Sequence, residues 1–117
     1  MKVYGVKSCT SVKKAKSFFD SHNIEYEFID ISKNEIHEEK LNYWLNFTDA
    51  ISMLNPRSKS YKDNKVKEMK LTDKKASKLM LSDPLIIKRP IIEHGLNGEN
   101  KFIIGFKEDD YIKEFLN

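Results

Sequence analysis

The spacing of apolar positions divides the chain into a short series of elements. Lys2–Lys7 (K-V-Y-G-V-K) alternates weakly around Val3, Tyr4 and Val6 and predicts a strand. Val12, Ala15, Phe18, Phe19 and His22 then recur at steps of three and four. That spacing predicts a helix from Thr10 or Ser11 to about His22, closed by Ser21-His22-Asn23. Ile24–Ile31 (I-E-Y-E-F-I-D-I) alternates cleanly, a second strand with Ile24, Tyr26 and Phe28 on one face. Strand, helix and strand in so short a span form a βαβ unit, whose two strands run parallel.

The middle of the chain reads as helical. After Ser32-Lys33-Asn34, the residues Leu41, Trp44, Leu45, Thr48 and Ile51 follow a 3.6-residue period, predicting helix to about Met53. Leu54-Asn55-Pro56-Arg57-Ser58 breaks it with a turn at Pro56. Tyr61–Met69 is strongly charged and reads as a short helix or loop. Thr72 or Asp73 can cap a helix through Leu81 with Ala76, Leu79 and Met80 inward, ended by Asp83-Pro84. The pattern then changes. Leu85–Ile92 is apolar but interrupted by Lys88-Arg89-Pro90, and Phe102–Phe106 reads as a short strand. His94–Asn100, with Gly95 and Gly98, is expected to be the turn between two antiparallel strands. Asp109 can cap a last helix carrying Tyr111, Ile112, Phe115 and Leu116. The order β-α-β, helices, β-β-α is that of an α/β protein.

At 117 residues the chain is one domain with room for a core that needs no staples. A single cysteine excludes an internal disulfide and a cysteine-rich zinc site. No two histidines have ligand spacing, so no metal site is expected; His22 reads as a helix end, and His37 and His94 as surface or turn residues. No apolar run reaches membrane-spanning length and no leader pattern opens the chain, so a soluble cytoplasmic protein without a membrane role is expected. The net charge of +3, with both signs mixed, is too small to argue for direct nucleic-acid binding. Nineteen of the basic residues are lysine; only Arg57 and Arg89 are arginine. An arginine kept in a lysine-using chain points to a need for a planar donor fork, with chance as the alternative.

Cys9 carries the candidate chemistry. It stands where the first strand runs into the first helix, in Gly5-Val6-Lys7-Ser8-Cys9-Thr10-Ser11-Val12-Lys13-Lys14. Unpaired N–H groups at a helix start, the positive end of the helix dipole and nearby ammonium groups all favour thiolate over thiol. Lys13 is the candidate thiolate-stabilising cation. Ser8, Thr10 and Ser11 are expected as helix caps. The alternative is a buried, inert cysteine, which is common among lone thiols.

A cysteine after the first strand and a proline before the third resemble the thioredoxin fold. In that fold the proline is cis and lies against the active-site cysteine; Pro90 is the matching residue. The match narrows further. Tyr4–Cys9 with Val12-Lys13-Lys14-Ala15, then Asn55-Pro56-Arg57-Ser58, then Ile87–Ile92, then Gly105-Phe106-Lys107-Glu108-Asp109 resemble the ArsC/Spx family over essentially the whole chain. Its YffB-like and related small members are the most similar. The resemblance implies a thioredoxin-like fold in one domain, 1–117. Segments 1–31 and 84–117 would be the thioredoxin-like core, and 35–82 a helical insertion.

Carried over by position, the resemblance makes Cys9 the nucleophile and Arg57 and Arg89 the clamp for an oxyanion. Backbone N–H groups of Thr10, Ser11 and Val12 would complete the anion site, and Pro90 would shape the wall beside the sulfur. Two departures weaken arsenate reduction: no histidine and proline precede the cysteine, and Lys107 stands near where a further arginine is expected. Losing one charge-assisted donor set costs about 1.5–3 kcal/mol. The expected function is therefore a monothiol oxidoreductase acting on an oxyanion or a mixed disulfide. Glutathione, with or without glutaredoxin, would be its co-substrate, and no cofactor is bound. The alternative is an Spx-like regulator binding the RNA polymerase α subunit. Val12 replaces the second cysteine of a C-x-x-C pair, so that regulator would lack the internal disulfide switch. A domain whose active site has decayed is the third reading.

Overall fold

A computed structural model describes residues 1–95 and 100–116. It divides into two compact units, Met1–Asp30 with Arg89–Asn117, and Ile31–Lys88.

The first unit is built on a four-stranded sheet in the order β2-β1-β3-β4. Its strands are β1 (Lys2–Gly5), β2 (Glu27–Asp30), β3 (Ile91–His94) and β4 (Lys101–Ile104). As the βαβ pattern requires, β1 and β2 are parallel, Val3 pairing with Phe28, and they are joined through α1 (Thr10–Ser21). The strands β1–β3 and β3–β4 are antiparallel. Both N-terminal strands are shorter than alternation predicts. The Val6 carbonyl is taken by the Cys9 N–H at 3.1 Å in a turn, which ends β1 after Gly5. The turn expected at His94–Asn100 falls largely outside the described residues.

Val12, Ala15, Phe18 and Phe19 are the buried face of α1, at the predicted spacing. Val3, Ala15, Phe18, Phe19, Ile92 and Tyr111 form the core, with Ile24, Tyr26 and Phe28 packed against it. The last helix, α6 (Glu108–Phe115), joins this core through rings set edge to face. Phe19 and Phe115 lie 5.1 Å apart at 89°, and Phe18 and Tyr111 5.5 Å apart at 87°. Such pairs contribute about 0.5–1.5 kcal/mol each beyond area burial. Lys107, not Asp109, is the N-cap of α6. Asp109 instead stands with Glu108 and Asp110 in the first turn, where carboxylates meet the positive helix end. His22 ends α1 as its C-cap, as read, with Nδ1 at 2.8 Å from the Phe18 carbonyl, but it is exposed and does not extend the buried face.

His94 is not a surface turn residue. It ends β3 with its side chain only 9 % exposed, its ring 4.8 Å from that of Phe115 and Nε2 3.5 Å from Glu114 Oε1. Lys101 Nζ shares that carboxylate at 3.2 Å. Burial holds the His94 imidazole below its ordinary pKa, with Glu114 pulling the other way.

The second unit is helical. The single helix expected up to Met53 is two, α2 (Glu38–Trp44) and α3 (Ala50–Met53). Asp49 makes the break: its carboxylate accepts from Ser52 N–H at 3.0 Å and Ser52 Oγ at 2.7 Å, capping a new helix. Ile51 consequently lies exposed. Next come α4 (Lys59–Asp63), a 3-10 turn (Val66–Glu68) and α5 (Asp73–Ser82), capped by Thr72 as expected. Ala76 and Met80 are buried, whereas Leu79 is only half-buried. A final 3-10 turn, Pro84–Ile86, leads into an isolated bridge between Leu54 and Ile87.

Candidate active site

Seven of the eight residues assigned to the site belong to the first unit. Cys9 is the N-cap residue of α1, in extended backbone at φ −73° and ψ 126°, and half-buried. This corrects the expected caps: neither Ser8, Thr10 nor Ser11 supplies one, and no side chain caps the helix. The first helical hydrogen bond runs from Lys13 N–H to the Cys9 carbonyl at 3.0 Å. The N–H groups of Thr10, Ser11 and Val12 therefore precede the helical ladder, beside the cysteine itself.

The charges around α1 are set opposite to those of α6. Where α6 opens with three carboxylates, α1 has none in its first turn and places Lys13 and Lys14 just beyond it. Cations at a positive helix end forgo about 0.3–1 kcal/mol of dipole stabilisation. In return, the end of α1 carries a field that favours an anion. A groove of 530 Å³ continues from Thr10 along the helix, lined by Lys13, Lys14, Ser17, Phe18, Ser21, His22, Phe106 and Glu108. It pairs an aromatic floor with a cationic, hydroxyl-bearing wall.

The approach of α1 to the sheet depends on Gly5. A Cβ at Gly5 would lie 2.6 Å from Val12 Cγ2, and Val12 is fully buried. The helix that starts at Cys9 is thus seated directly on the end of β1. The sequence contains that signal, a glycine in a strand that feeds a helix, but only the packing explains it.

Pro90 and Arg89 enter the same unit from the other direction. The Arg89–Pro90 peptide bond is cis, as the thioredoxin resemblance implies. The antiparallel register pairs Tyr4 with Ile91; continued by one residue, it sets Pro90 opposite Gly5, at the strand end from which the chain turns to Cys9. Pro90 is buried, and its carbonyl accepts from Gly105 N–H at 2.8 Å. Gly105 adopts φ +83°, a conformation favouring glycine, and its own carbonyl accepts from Tyr111 Oη at 2.9 Å. Arg89 is half-buried. The Tyr111–Gly105–Pro90 relay is a support the sequence reading lacked; Tyr111 reads there only as an apolar helix position.

Arg57, the eighth residue, lies in the second unit. It is exposed, and a local network sets its backbone: its N–H bonds Asn55 Oδ1 at 3.0 Å. Ser58, buried, donates from both N–H and Oγ to the Asn55 carbonyl, and its Oγ accepts from Tyr61 N–H to cap α4. Asn55-Pro56-Arg57-Ser58 is therefore an Asx turn running into a helix cap. Among the described residues, no group of three or more His, Cys, Asp or Glu could hold a metal ion, and no helix is long and apolar enough to cross a membrane.

Comparison with known proteins agrees with this architecture. The Global transcriptional regulator Spx 2 of Bacillus cereus is 30 % identical over 116 residues, covering 97 % of this chain and 85 % of that one. The solved structure of the YffB protein superposes with a TM-score of 0.82 at 32 % identity, covering 96 % of both chains. An arsenate reductase (ArsC) related protein from Brucella melitensis gives 0.73 at 29 % identity, over 97 % of this chain and 92 % of that one. The fold is thioredoxin-like α/β, with an N-terminal βαβ and a C-terminal ββα. The ArsC family model matches residues 4–114, and the chain is a member of the ArsC family.

Proposed function

We propose that this ArsC-family protein is a monothiol oxidoreductase whose nucleophile is Cys9 and whose substrate is a glutathione mixed disulfide. What carries this reading is the position of Cys9 as the uncapped N-cap of α1. Cys9 shares that helix end with the N–H groups of Thr10, Ser11 and Val12, and the aromatic-floored groove begins at the next residue, Thr10, with Lys13 and Lys14 in its lining. Cys9 Sγ attacks the glutathionyl sulfur of the mixed disulfide. The S–S bond breaks, the target leaves as thiolate and takes a proton, and glutathione remains on Cys9. A free glutathione thiolate then attacks that adduct, releasing oxidised glutathione and restoring Cys9. One free glutathione is consumed per cycle, and the other half of the oxidised glutathione is the glutathionyl group brought by the substrate. Thr10, Ser11 and Val12 N–H groups would hold a glutathione carboxylate, and Lys13 and Arg89 would supply positive charge, with Pro90 as the wall. A small oxyanion would use the same donors, and glutaredoxin could serve as the resolving partner.

Intact-mass spectrometry after treatment with oxidised glutathione tests the reading. One glutathione should add, absent in Cys9→Ser, and reduced glutathione should remove it; Lys13→Glu with Lys14→Glu should slow both steps. No adduct at millimolar oxidised glutathione would sink the proposal.

A regulatory role is the second reading, favoured by the identity to Spx 2 over 97 % of the chain. Its partner would be the C-terminal domain of the α chain of RNA polymerase. Since a lone cysteine cannot form an internal switch, this binding should survive Cys9→Ser. Absence of binding at micromolar concentrations would count against it.

A further inference from the structure

The basic residues of the chain are concentrated in one segment of the second unit. Residues 57–78 hold nine basic side chains and three acidic ones, a net of +6 in a chain of net +3, leaving −3 for the remainder. Among the described residues, Lys59 is the one member of this set in an ion pair, with Asp63 at 2.8 Å. A surface this charged repels itself, and neighbouring carboxylates do not neutralise it.

The same segment carries two grooves with apolar floors. One, of 360 Å³, is formed by Met69 against the face of α5 that presents Lys75, Lys78, Leu79 and Ser82. The spacing of these four residues puts them on one side of the helix, opposite buried Ala76 and Met80. Leu79 is therefore only half-buried, on the face it shares with Lys75 and Lys78; Lys75 Nζ donates to the Lys70 carbonyl at 3.0 Å. The other groove, of 310 Å³, lies around Val66 and Tyr61, with Lys62, Lys65 and Lys67 on its rim. The two are joined in sequence at Glu68-Met69.

We infer that this lysine-rimmed surface docks an acidic, amphipathic segment of a partner protein. Its aliphatic side chains would enter the groove at Met69 and Leu79, and its carboxylates would meet Lys75 and Lys78. Both features are needed to choose the partner. The charge selects an acidic ligand. The apolar floors, with a methionine that can repack, select one that also offers aliphatic side chains. A nucleic-acid backbone would satisfy the lysines and leave those floors uncovered. Arg57 is also the one arginine in the segment to grip phosphate with a planar fork.

Fluorescence anisotropy on the full chain tests this with a defined probe. The probe is a fluorescein-labelled 15-residue peptide of Glu, Ala and Leu with leucines at helical spacing of three and four. Two controls accompany it: the same peptide with each Leu replaced by Ser, and a DNA duplex of random sequence. The leucine peptide should bind at low salt and weaken as salt rises. Lys75→Glu with Lys78→Glu should weaken it at least tenfold, and Leu79→Ser severalfold. Amide shifts in a ¹⁵N spectrum should map to Met69, Lys75, Lys78, Leu79 and Ser82. Since these side chains are exposed or half-buried, circular dichroism should report intact folds. Cys9→Ser should bind as the parent does, which separates this surface from the thiol chemistry. Equal binding of the serine peptide, tighter binding of the duplex, no binding of the leucine peptide, or indifference to the charge reversals would each overturn the inference.

Discussion

Replacing Gly5 by alanine probes the seat of the helix that begins at Cys9. The new Cβ would meet Val12 Cγ2 at 2.6 Å and Cγ1 at 3.2 Å. Optimal carbon contacts lie near 3.5–4.0 Å, so Val12 must retreat by about 1 Å. It cannot do so by a simple swing, because it is β-branched, fully buried and fixed on the first turns of α1. Overpacking of this kind costs about 1–3 kcal/mol. Against it stands the ordinary gain of alanine over glycine in a strand, about 0.5–1 kcal/mol. Gly5 has no positive φ that would cancel this gain. Overpacking wins, and a net loss of about 1–2 kcal/mol is expected. Urea denaturation followed by circular dichroism reads it as a lower midpoint at unchanged slope. The decisive comparison is a double-mutant cycle with Val12→Ala. Trimming Val12 removes both γ carbons and leaves its Cβ at 3.5 Å, an ordinary contact. In that background Gly5→Ala should be neutral or mildly stabilising. An equal penalty in both backgrounds would refute the reasoning, because the cost would then not arise at Val12.

Three further outcomes follow from the buried polar groups. Tyr111→Phe leaves the Gly105 carbonyl without its 2.9 Å donor and should cost about 1–2 kcal/mol at neutral pH. Burial raises the Tyr111 pKa, so its contribution is complete below the unfolded value near 10 and is lost as pH rises toward the folded one. The gap between parent and Tyr111→Phe should therefore narrow above pH 10, and a constant gap in urea titrations would contradict this. His94 is the reverse case: burial lowers its pKa, so its stabilisation is present above about 6.5 and is lost as pH falls. Glu114, Lys101 and the N-terminal amine are the other charges acting on it, and His94→Gln should flatten the parent's loss of stability between pH 7 and 5. A parallel decline in both proteins would exclude the imidazole as its source. Ser58→Ala removes the α4 cap and a bond to the Asn55 carbonyl and should cost about 1–2 kcal/mol in thermal or urea melts, with Ser58→Thr losing less. Equal losses in the two variants would argue against the hydroxyl as the cap.

How far each element could be read in the sequence depended on the range of the interactions that form it. The α1 face from Val12 to Phe19, the β1–β2 pairing and the α5 cap at Thr72, one of two candidates, rest on local spacing and local hydrogen bonds, and the structure contains all three. The helix expected through Met53 failed at Asp49, because an apolar period persists across a break that one side-chain cap creates. The caps assigned to Ser8, Thr10 and Ser11 failed for a related reason. Hydroxyls within reach of a helix start are common, and whether one turns back to an N–H is decided by backbone angles.

By itself, the sequence determined a lone thiol at a strand-to-helix junction, a charge order on α1 without carboxylates at its start, and the motifs of the ArsC family. These are properties of neighbouring residues or of the inventory of residue types. Only the tertiary structure decided that Cys9 is itself the N-cap and that Gly5 admits Val12. It also decided that Pro90 stands at the strand end beside that junction, that Tyr111 supports it through Gly105, and that His94 is buried beside Glu114. Each of these joins residues distant in sequence or depends on the space between two packed surfaces. Periodicity says which face of an element is apolar; it does not say what that face meets.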